Sequence, residues 1–465
     1  MQPFFGKGIL ILLCLFSFYL QAQEEITMFT RDDGLTSTLV TNSHVDSKGV
    51  VWIGTTNGLN AFTSKNWIPI KHIEDNNSGR LKPLGNVHSI FEDLRANIWV
   101  SSDQGLFLYN RKYWTFFEPE DDKEYVTKAF LQARSGAIWI VQEHFQNFTA
   151  EMGFEMVSGK LQMYKDGRWF KFDNDLAGSS ALKLKERPEY FSSVIQDMQG
   201  NMWFATLEGV FMFDGNAWSS FKDEELDATK IFDLIEDKDG VIWVATENGV
   251  SRKHDEKWEN FSKKDGLADN YAYRILEDPQ GRKWTFSRNG SRFTGLSMLD
   301  DNHWTSFDVD DVRLKGEIES IVWFGSDVFA FSKDGVSVFR DDKWRKFGKA
   351  DGLADKNYSL IINDRNKYLW LAGDHGLYQF NDGKWDLLIG QTEKWNVLKI
   401  FRDKRGRIWV ATNKMGLFVV RTDGLGHYDE ENGLADNHVS DIFEDRHQNI
   451  WVITKKGLSR IVTLD

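Results

Sequence analysis

Acidic side chains recur at one offset along this chain. Asp237, Asp278, Asp364, Asp403 and Asp445 each stand shortly before a turn glycine or its substitute. Two such carboxylates within proton-transfer reach of one ligand could serve as general acid and base. A single one can do something simpler and accept hydrogen bonds from the turn it opens. Repetition at one offset points to the second role. The histidines offer no better centre. His88 and His438 lack any metal-ligand spacing, and His144 and His375 fall in equivalent loops five repeat units apart. No phosphate loop, nucleophile elbow or HExxH is present. The single cysteine, Cys14, lies in the N-terminal apolar run, so no thiolate metal site, cysteine nucleophile or disulfide is expected beyond it. Neither a cofactor nor a metal is expected.

What must position these residues is one short sentence of sequence written ten times. Its anchors are Trp52, Trp99, Trp139, Trp203, Trp243, Trp284, Phe329, Trp370, Trp409 and Trp451. Residues 231–261 show how a copy is built: four short alternating runs, separated by turns rich in Asp, Asn and Gly. That is the signature of strands and tight hairpins. Four strands repeated about every 40–45 residues predict the blades of a propeller. Trp323 comes too early to anchor its copy, and alignment by glycine assigns that place to Phe329. The fold class expected is all-β, a single β-propeller of about ten four-stranded blades.

The ends suggest how the ring closes. The last copy stops after its third strand, whereas residues 26–35 carry Ile26, Phe29 and Gly34 at the offsets of a fourth strand and its following turn. The N-terminal strand is therefore expected to complete the last blade, with residues 26–29 beside 457–462, removing two open edges. Two propeller bodies or an open arc would also accommodate ten copies.

Residues 1–23 read as a secretory signal: Lys7, an apolar run over 9–19, then Ala22 near its end. An uncleaved anchor and a lipoprotein at Cys14 are the alternatives. The propeller domain is expected over 24–465, in the periplasm or outside the cell. The formal net charge of −13 argues against nucleic acid as a partner. No membrane span is expected in the mature chain.

The segment D-x-x-G-x-I/L-W-V-A/G-T-x-x-G-V/L, as at 237–250 and 403–417, and the DGLADN-type connectors at 265–270 and 432–437 resemble the two-component regulator propeller repeats. Those repeats occur in the periplasmic sensor part of Bacteroidetes hybrid histidine kinases. The resemblance covers essentially the whole mature chain, here without the membrane span and kinase of that family. It implies a sensing module for a glycan or peptide ligand, working with a membrane sensor or another periplasmic protein.

Two loop sets should share one face: the lead-in to each inner strand, and the turn between strands two and three. The lead-in positions hold Tyr190, Lys230, Asn270, Tyr271, Asn357, Trp395, Asn396 and His438; the turns hold His144, Arg288 and His375 among others. Framework positions repeat from copy to copy and these do not, so the scaffold does not dictate them. Their mix of aromatics, amides and charges suits a polar ligand. Trp395 stands apart from the framework tryptophans of its region, Trp385 and Trp409, and is the leading candidate for stacking. Residues 143–160 are expected to form a long loop on this face, with further insertions at 71–86 and 174–190. The function expected is non-catalytic recognition. A propeller lyase or hydrolase, or a structural scaffold, are the alternatives.

Overall fold

Alternation of apolar and polar residues between glycine-bearing turns does produce strands, four to a repeat. The computed structural model describes residues 24–463 apart from 64–65, 120–125, 148–153, 172–190, 256, 290–291, 309–313, 315–316, 333, 354–356, 366, 375, 391–395 and 422–423. The leader-like residues 1–23 lie outside it. Blade 5 shows the pattern: Ile231–Glu236, Ile242–Thr246, Gly249–His254 and Lys257–Phe261, hydrogen-bonded in chain order. Ten such antiparallel sheets form the molecule. First strands of neighbouring blades contact one another, so the first strand is inner and the fourth outer. Every residue of the second strand is buried in blade 5, because sheets pack on both of its faces. Among the described residues no helix is long and apolar enough to cross a membrane.

The ring closes as the end offsets require. Glu24–Phe29 is the outer strand of the tenth blade, antiparallel to Gly457–Thr463, with Glu24 opposite Thr463 and Phe29 opposite Leu458. Phe29 then packs with Phe62, Trp67 and Trp451 at centroid distances of 5.5–5.8 Å. Phe329 fills a tryptophan's place, 5.0 Å from Phe380 and 6.1 Å from Phe347.

The connectors after blades 5, 7 and 9 share one short capped turn. After blade 5 the turn Lys263–Asp265 is capped by Ser262 and ends at Gly266 with φ 110°. A side chain there would meet the Trp304 carbonyl oxygen at 2.5 Å, so both conformation and space require glycine.

The recurrent aspartates do more than hold turns. Asp237 Oδ1 accepts from the N–H groups of Asp239 and Val241 at 3.0 and 2.9 Å, as a turn cap does. Its Oδ2 accepts from the Trp243 indole N–H at 2.8 Å. The same bond, six residues along, joins Asp46, Asp93, Asp197, Asp278, Asp403 and Asp445 to their tryptophans at 2.7–3.1 Å. A buried indole N–H needs such a partner. Asp364 is the exception. It lies 3.3 Å from Arg402 of the next blade, and the Trp370 N–H has no partner among the described residues.

The residue before the aspartate reaches the preceding blade. Glu236 accepts from Met198 N–H at 2.8 Å, Glu277 from Lys238 N–H at 2.9 Å and Glu444 from Lys404 N–H at 3.2 Å. Glu92 takes both the N–H and the hydroxyl of Ser47 at 2.6 Å. One dipeptide thus ties a blade to its neighbour and fixes its own tryptophan. At the seam between blades 10 and 1 the place is taken by Val45, which cannot make the tie.

These buried carboxylates make stability depend on pH. Burial alone would raise Asp237, but the Val241 N–H, the Trp243 indole and the Lys283 ammonium outweigh it and hold the group below its ordinary value. Asp46 is likewise held low against its burial by Arg111, Trp52 and the Val50 N–H. A carboxylate lowered in the fold stabilises it above the unfolded value, about 3.9. That stabilisation is lost as pH falls through the folded value. The thermal midpoint should therefore stay level from neutral to about pH 5 and fall steeply below about pH 4. A midpoint that stays level to about pH 3 would mean that these carboxylates contribute little.

The third blade departs from expectation. Residues 143–160 were expected as a loop, yet the strands Ile138–Asn147 and Phe154–Lys165 run on as a ribbon, paired out to Asn147 opposite Phe154. Most blades turn where a small residue faces glycine, as Thr246 faces Gly249. Here Gln142 faces Lys160 at that place, Gly159 falls opposite Glu143, and the ladder continues, as it does for two more pairs beyond Ser287 and Gly295 in blade 6. Of the other insertions, 71–86 contains a short hairpin, His72–Glu74 with Leu81–Pro83, and 174–190 lies outside the described residues.

Candidate functional site

Sheet pairing brings the two variable loop sets together. In blade after blade, the N–H that follows strand two donates to the carbonyl of the lead-in residue. Glu247 donates to Lys230 at 3.1 Å, Arg288 to Tyr271 at 2.9 Å, Asp374 to Asn357 at 2.9 Å and Asn413 to Asn396 at 3.1 Å. The lead-ins and turns therefore share the face around the central channel.

On that face, blades 5 and 6 gather three of the expected residues. Lys230 pairs with Glu247 at 3.0 Å, and Thr229 Oγ1 donates to the same carboxylate at 2.8 Å. The Tyr271 ring lies 4.6 Å from Phe232. The Arg288 guanidinium stands 4.2 Å above Tyr273 and 3.2 Å from Glu317 of blade 7. Register shifts place Phe232 and Tyr273 at a one-residue bulge in their inner strands, and a bulge re-aims a side chain. Below them, burial raises the Asp233 carboxyl, against hydrogen bonds from the N–H groups of Ile275 and Leu234. Burial also raises Tyr273, opposed by Arg288. The cluster offers ring faces beside charges of both signs. Glu247 and Glu317 are each held by a cation, which suits recognition better than proton transfer.

Phe232, Tyr273 and Glu317 were not among the expected site residues. A signal for the first two existed. At the same bulge four other blades carry small hydroxyls bound to the backbone, among them Thr41, which donates to the Val87 carbonyl, and Ser192, which donates to that of Ile231, each at 2.6 Å.

Several other expected residues make contacts within the scaffold. Asn270 accepts from the Lys263 N–H at 2.8 Å and holds the connector turn. Asn357 and Asn396 adopt φ of 68° and 42°, a region asparagine tolerates, and Asn357 donates to Asp374 at 3.1 Å. His438 Nδ1 lies 3.1 Å from the Asn413 carbonyl oxygen of blade 9. His144 is on the long ribbon, but its side chain lies outside the described residues, as do Tyr190, His375 and Trp395 entirely. Among the described residues no three His, Cys, Asp or Glu side chains converge as metal ligands.

Comparison with known proteins adds the following. Residues 225–248, 393–414 and 433–456 match the family model described as Two component regulator propeller, together well under half of the chain. No curated protein sequence matches. Among solved structures, the chain is similar to the extracellular domain assigned to the hybrid two component system BT3049 from B. thetaiotaomicron, at 20% identity and a TM-score of 0.29. That match covers 94% of this chain and 65% of that domain, so the chain spans under two thirds of its relative. PorZ, a surface component of the type-IX secretion system of Porphyromonas gingivalis, is similar at 16% identity and a TM-score of 0.33, over 91% of this chain and 68% of PorZ. Virginiamycin B lyase from Staphylococcus aureus is similar at 13% identity and a TM-score of 0.34, over 61% of this chain and 98% of the lyase.

Proposed function

We propose that this chain is an exported, non-catalytic recognition module. It binds a polar ligand, a glycan or peptide, or a partner protein, on its loop-rich face beside the central channel. The supporting observation is the blade 5–6 cluster. Where blades 1, 4, 8 and 10 carry small hydroxyls bound to backbone, Phe232 and Tyr273 present rings, flanked by Tyr271, Lys230 and Arg288. Rings with adjacent charged groups bind through stacking and hydrogen bonds together. The leader-like residues 1–23 support export, and the three matched repeats support a sensor-like role.

A glycan and peptide array on the purified mature protein tests this reading. Tyr271→Ala and Arg288→Ala should each weaken a hit by about tenfold, with the thermal midpoint kept; Trp395→Ala probes the neighbouring lead-in. Binding indifferent to all three would place the ligand elsewhere. Release of a product from the bound ligand would make the protein an enzyme. Recovery from the cytosol with Met1 intact would remove export from the reading.

A further inference from the structure

Exposed charge is sorted between the two faces of the ring. Lead-ins and strand two–three turns share the ligand face, so the turns between strands one and two, and between three and four, lie on the far face. The first strand is inner, so the strand one–two turns surround the far mouth of the channel. Lys48, Arg95, Arg134, Arg365, Lys404 and Arg446 stand exposed in these turns, in blades 1, 2, 3, 8, 9 and 10. Those six blades are consecutive around the closed ring. Among the described residues, no exposed position of their strand one–two turns holds Asp or Glu. In a chain of net charge −13, composition alone would not produce such an arc. Its charge is little offset. Lys48, Arg365 and Arg446 make no ion pair among the described residues. Arg134 donates to the carbonyl oxygens of Asp197 and Met198 at 3.1 and 2.9 Å, which carry no formal charge. Of the six, only Arg95 and Lys404 face carboxylates, Asp166 at 3.4 Å and Glu444 at 3.9 Å.

Apolar side chains stand out of the same face. Leu94, beside Arg95, is 80% exposed, at a turn position that holds Ser47 in blade 1 and Lys404 in blade 9. Tyr113 is exposed beside Lys112 in the strand three–four turn of blade 2, and Met198 in the strand one–two turn of blade 4. Cations mixed with apolar tips suit a bilayer surface, where cations meet anionic headgroups and the tips enter the boundary of the acyl chains. The chain also enters the fold on this face, at Glu24 opposite Thr463, and the apolar run over 9–19 lies just ahead of that point in the sequence. Exposed acids of this face sit on the outer rim of blades 5 to 8, at Asp255, Asp301, Asp341 and Asp382. They turn that side away from an anionic surface and leave blades 10, 1 and 2 to approach it.

We propose that this far face is a peripheral docking surface for a bilayer of anionic lipid, led by blades 10, 1 and 2. Lys48, Arg95 and Arg446 meet the headgroup phosphates, and Leu94 and Tyr113 enter the interface. The cluster on blades 5 and 6 lies on the opposite face, so it stays open to its ligand while the protein is docked.

Vesicle flotation of the mature protein tests this, with phosphatidylcholine vesicles that contain or lack about one third phosphatidylglycerol. Binding should be about tenfold tighter or more with phosphatidylglycerol, and should fall as salt rises from about 0.05 to 0.5 M. Lys48→Glu and Arg446→Glu should each weaken it about tenfold. Leu94→Ser should weaken it with the charge unchanged. Lys264→Glu makes the same charge change at an exposed position on the ligand face and should leave binding as it was. All four positions are exposed, so the thermal midpoint should be kept. Equal binding to both vesicles, binding to neither, or equal losses in Lys264→Glu and Lys48→Glu would overturn the proposal. So would binding to soluble poly-glutamate that is tighter than vesicle binding and unmoved by Leu94→Ser, which would assign the arc to an acidic protein.

Discussion

Removing residues 24–34 should open the ring and cost on the order of 5 kcal/mol or more, far beyond the loss of an ordinary terminus. The segment supplies a whole outer strand to the tenth blade. It also buries Phe29 at 8% exposure, at about 1.5–3 kcal/mol for a fully buried apolar side chain. Deletion would bare the third strand's edge and uncover the Phe62–Trp67–Trp451 cluster, leaving an apolar template for association. The truncated protein should melt far lower and aggregate as it does so. Phe29→Ala, which keeps the strand, should cost about 3–5 kcal/mol. An unchanged melt for both would mean that closure by this strand does not hold the ring.

Asp46→Ala should be the most damaging change among the framework aspartates, by about 3–5 kcal/mol. Its carboxylate is fully buried and pairs with Arg111 of blade 2, whose side chain is 14% exposed. It also accepts from the Trp52 indole at 2.8 Å and from the Val50 N–H at 2.9 Å. Removal leaves a buried guanidinium with Glu92, at 2.6 Å, and the Ala96 carbonyl as its partners, and an orphaned indole N–H. Asp445→Ala is the control. Its described partners are neutral: the Trp451 indole, the Asn449 amide and backbone N–H groups. It should cost about 1–3 kcal/mol. Equal losses in the two variants would show that the Arg111 pair adds nothing to turn and indole.

Much of the fold was legible because a repeat states each constraint many times. The ten anchors, the replacement of tryptophan by Phe329 and the closing strand all came from comparing one copy with another. The aspartate's second bond was also legible in principle, since aspartate and tryptophan keep a six-residue separation; a turn simply explained the aspartate first. The blade 3 ribbon was missed because length suggested a loop, whereas extra residues between strands two and three can equally extend the pairing of both. The candidate site was only partly legible. Lys230, Tyr271 and Arg288 lie together, while Asn270 bonds a connector turn and Asn357 bonds Asp374. Phe232 and Tyr273 were missed because a bulge re-aims one residue of the inner strand, a feature that shows only when blades are compared at that position.

The closing strand separates the unit that is copied in the gene from the unit that folds. A stretch encoding one inner-to-outer set of strands can be duplicated or lost anywhere along the middle. The two ends still carry the same complementary strands, so the clasp survives any change in copy number. Only the curvature between neighbouring blades must adjust, by a few degrees each. A breakpoint inside a blade has no such freedom, because it leaves a sheet with the wrong number of strands. A ring built this way can change its circumference in single steps without inventing a new way to shut.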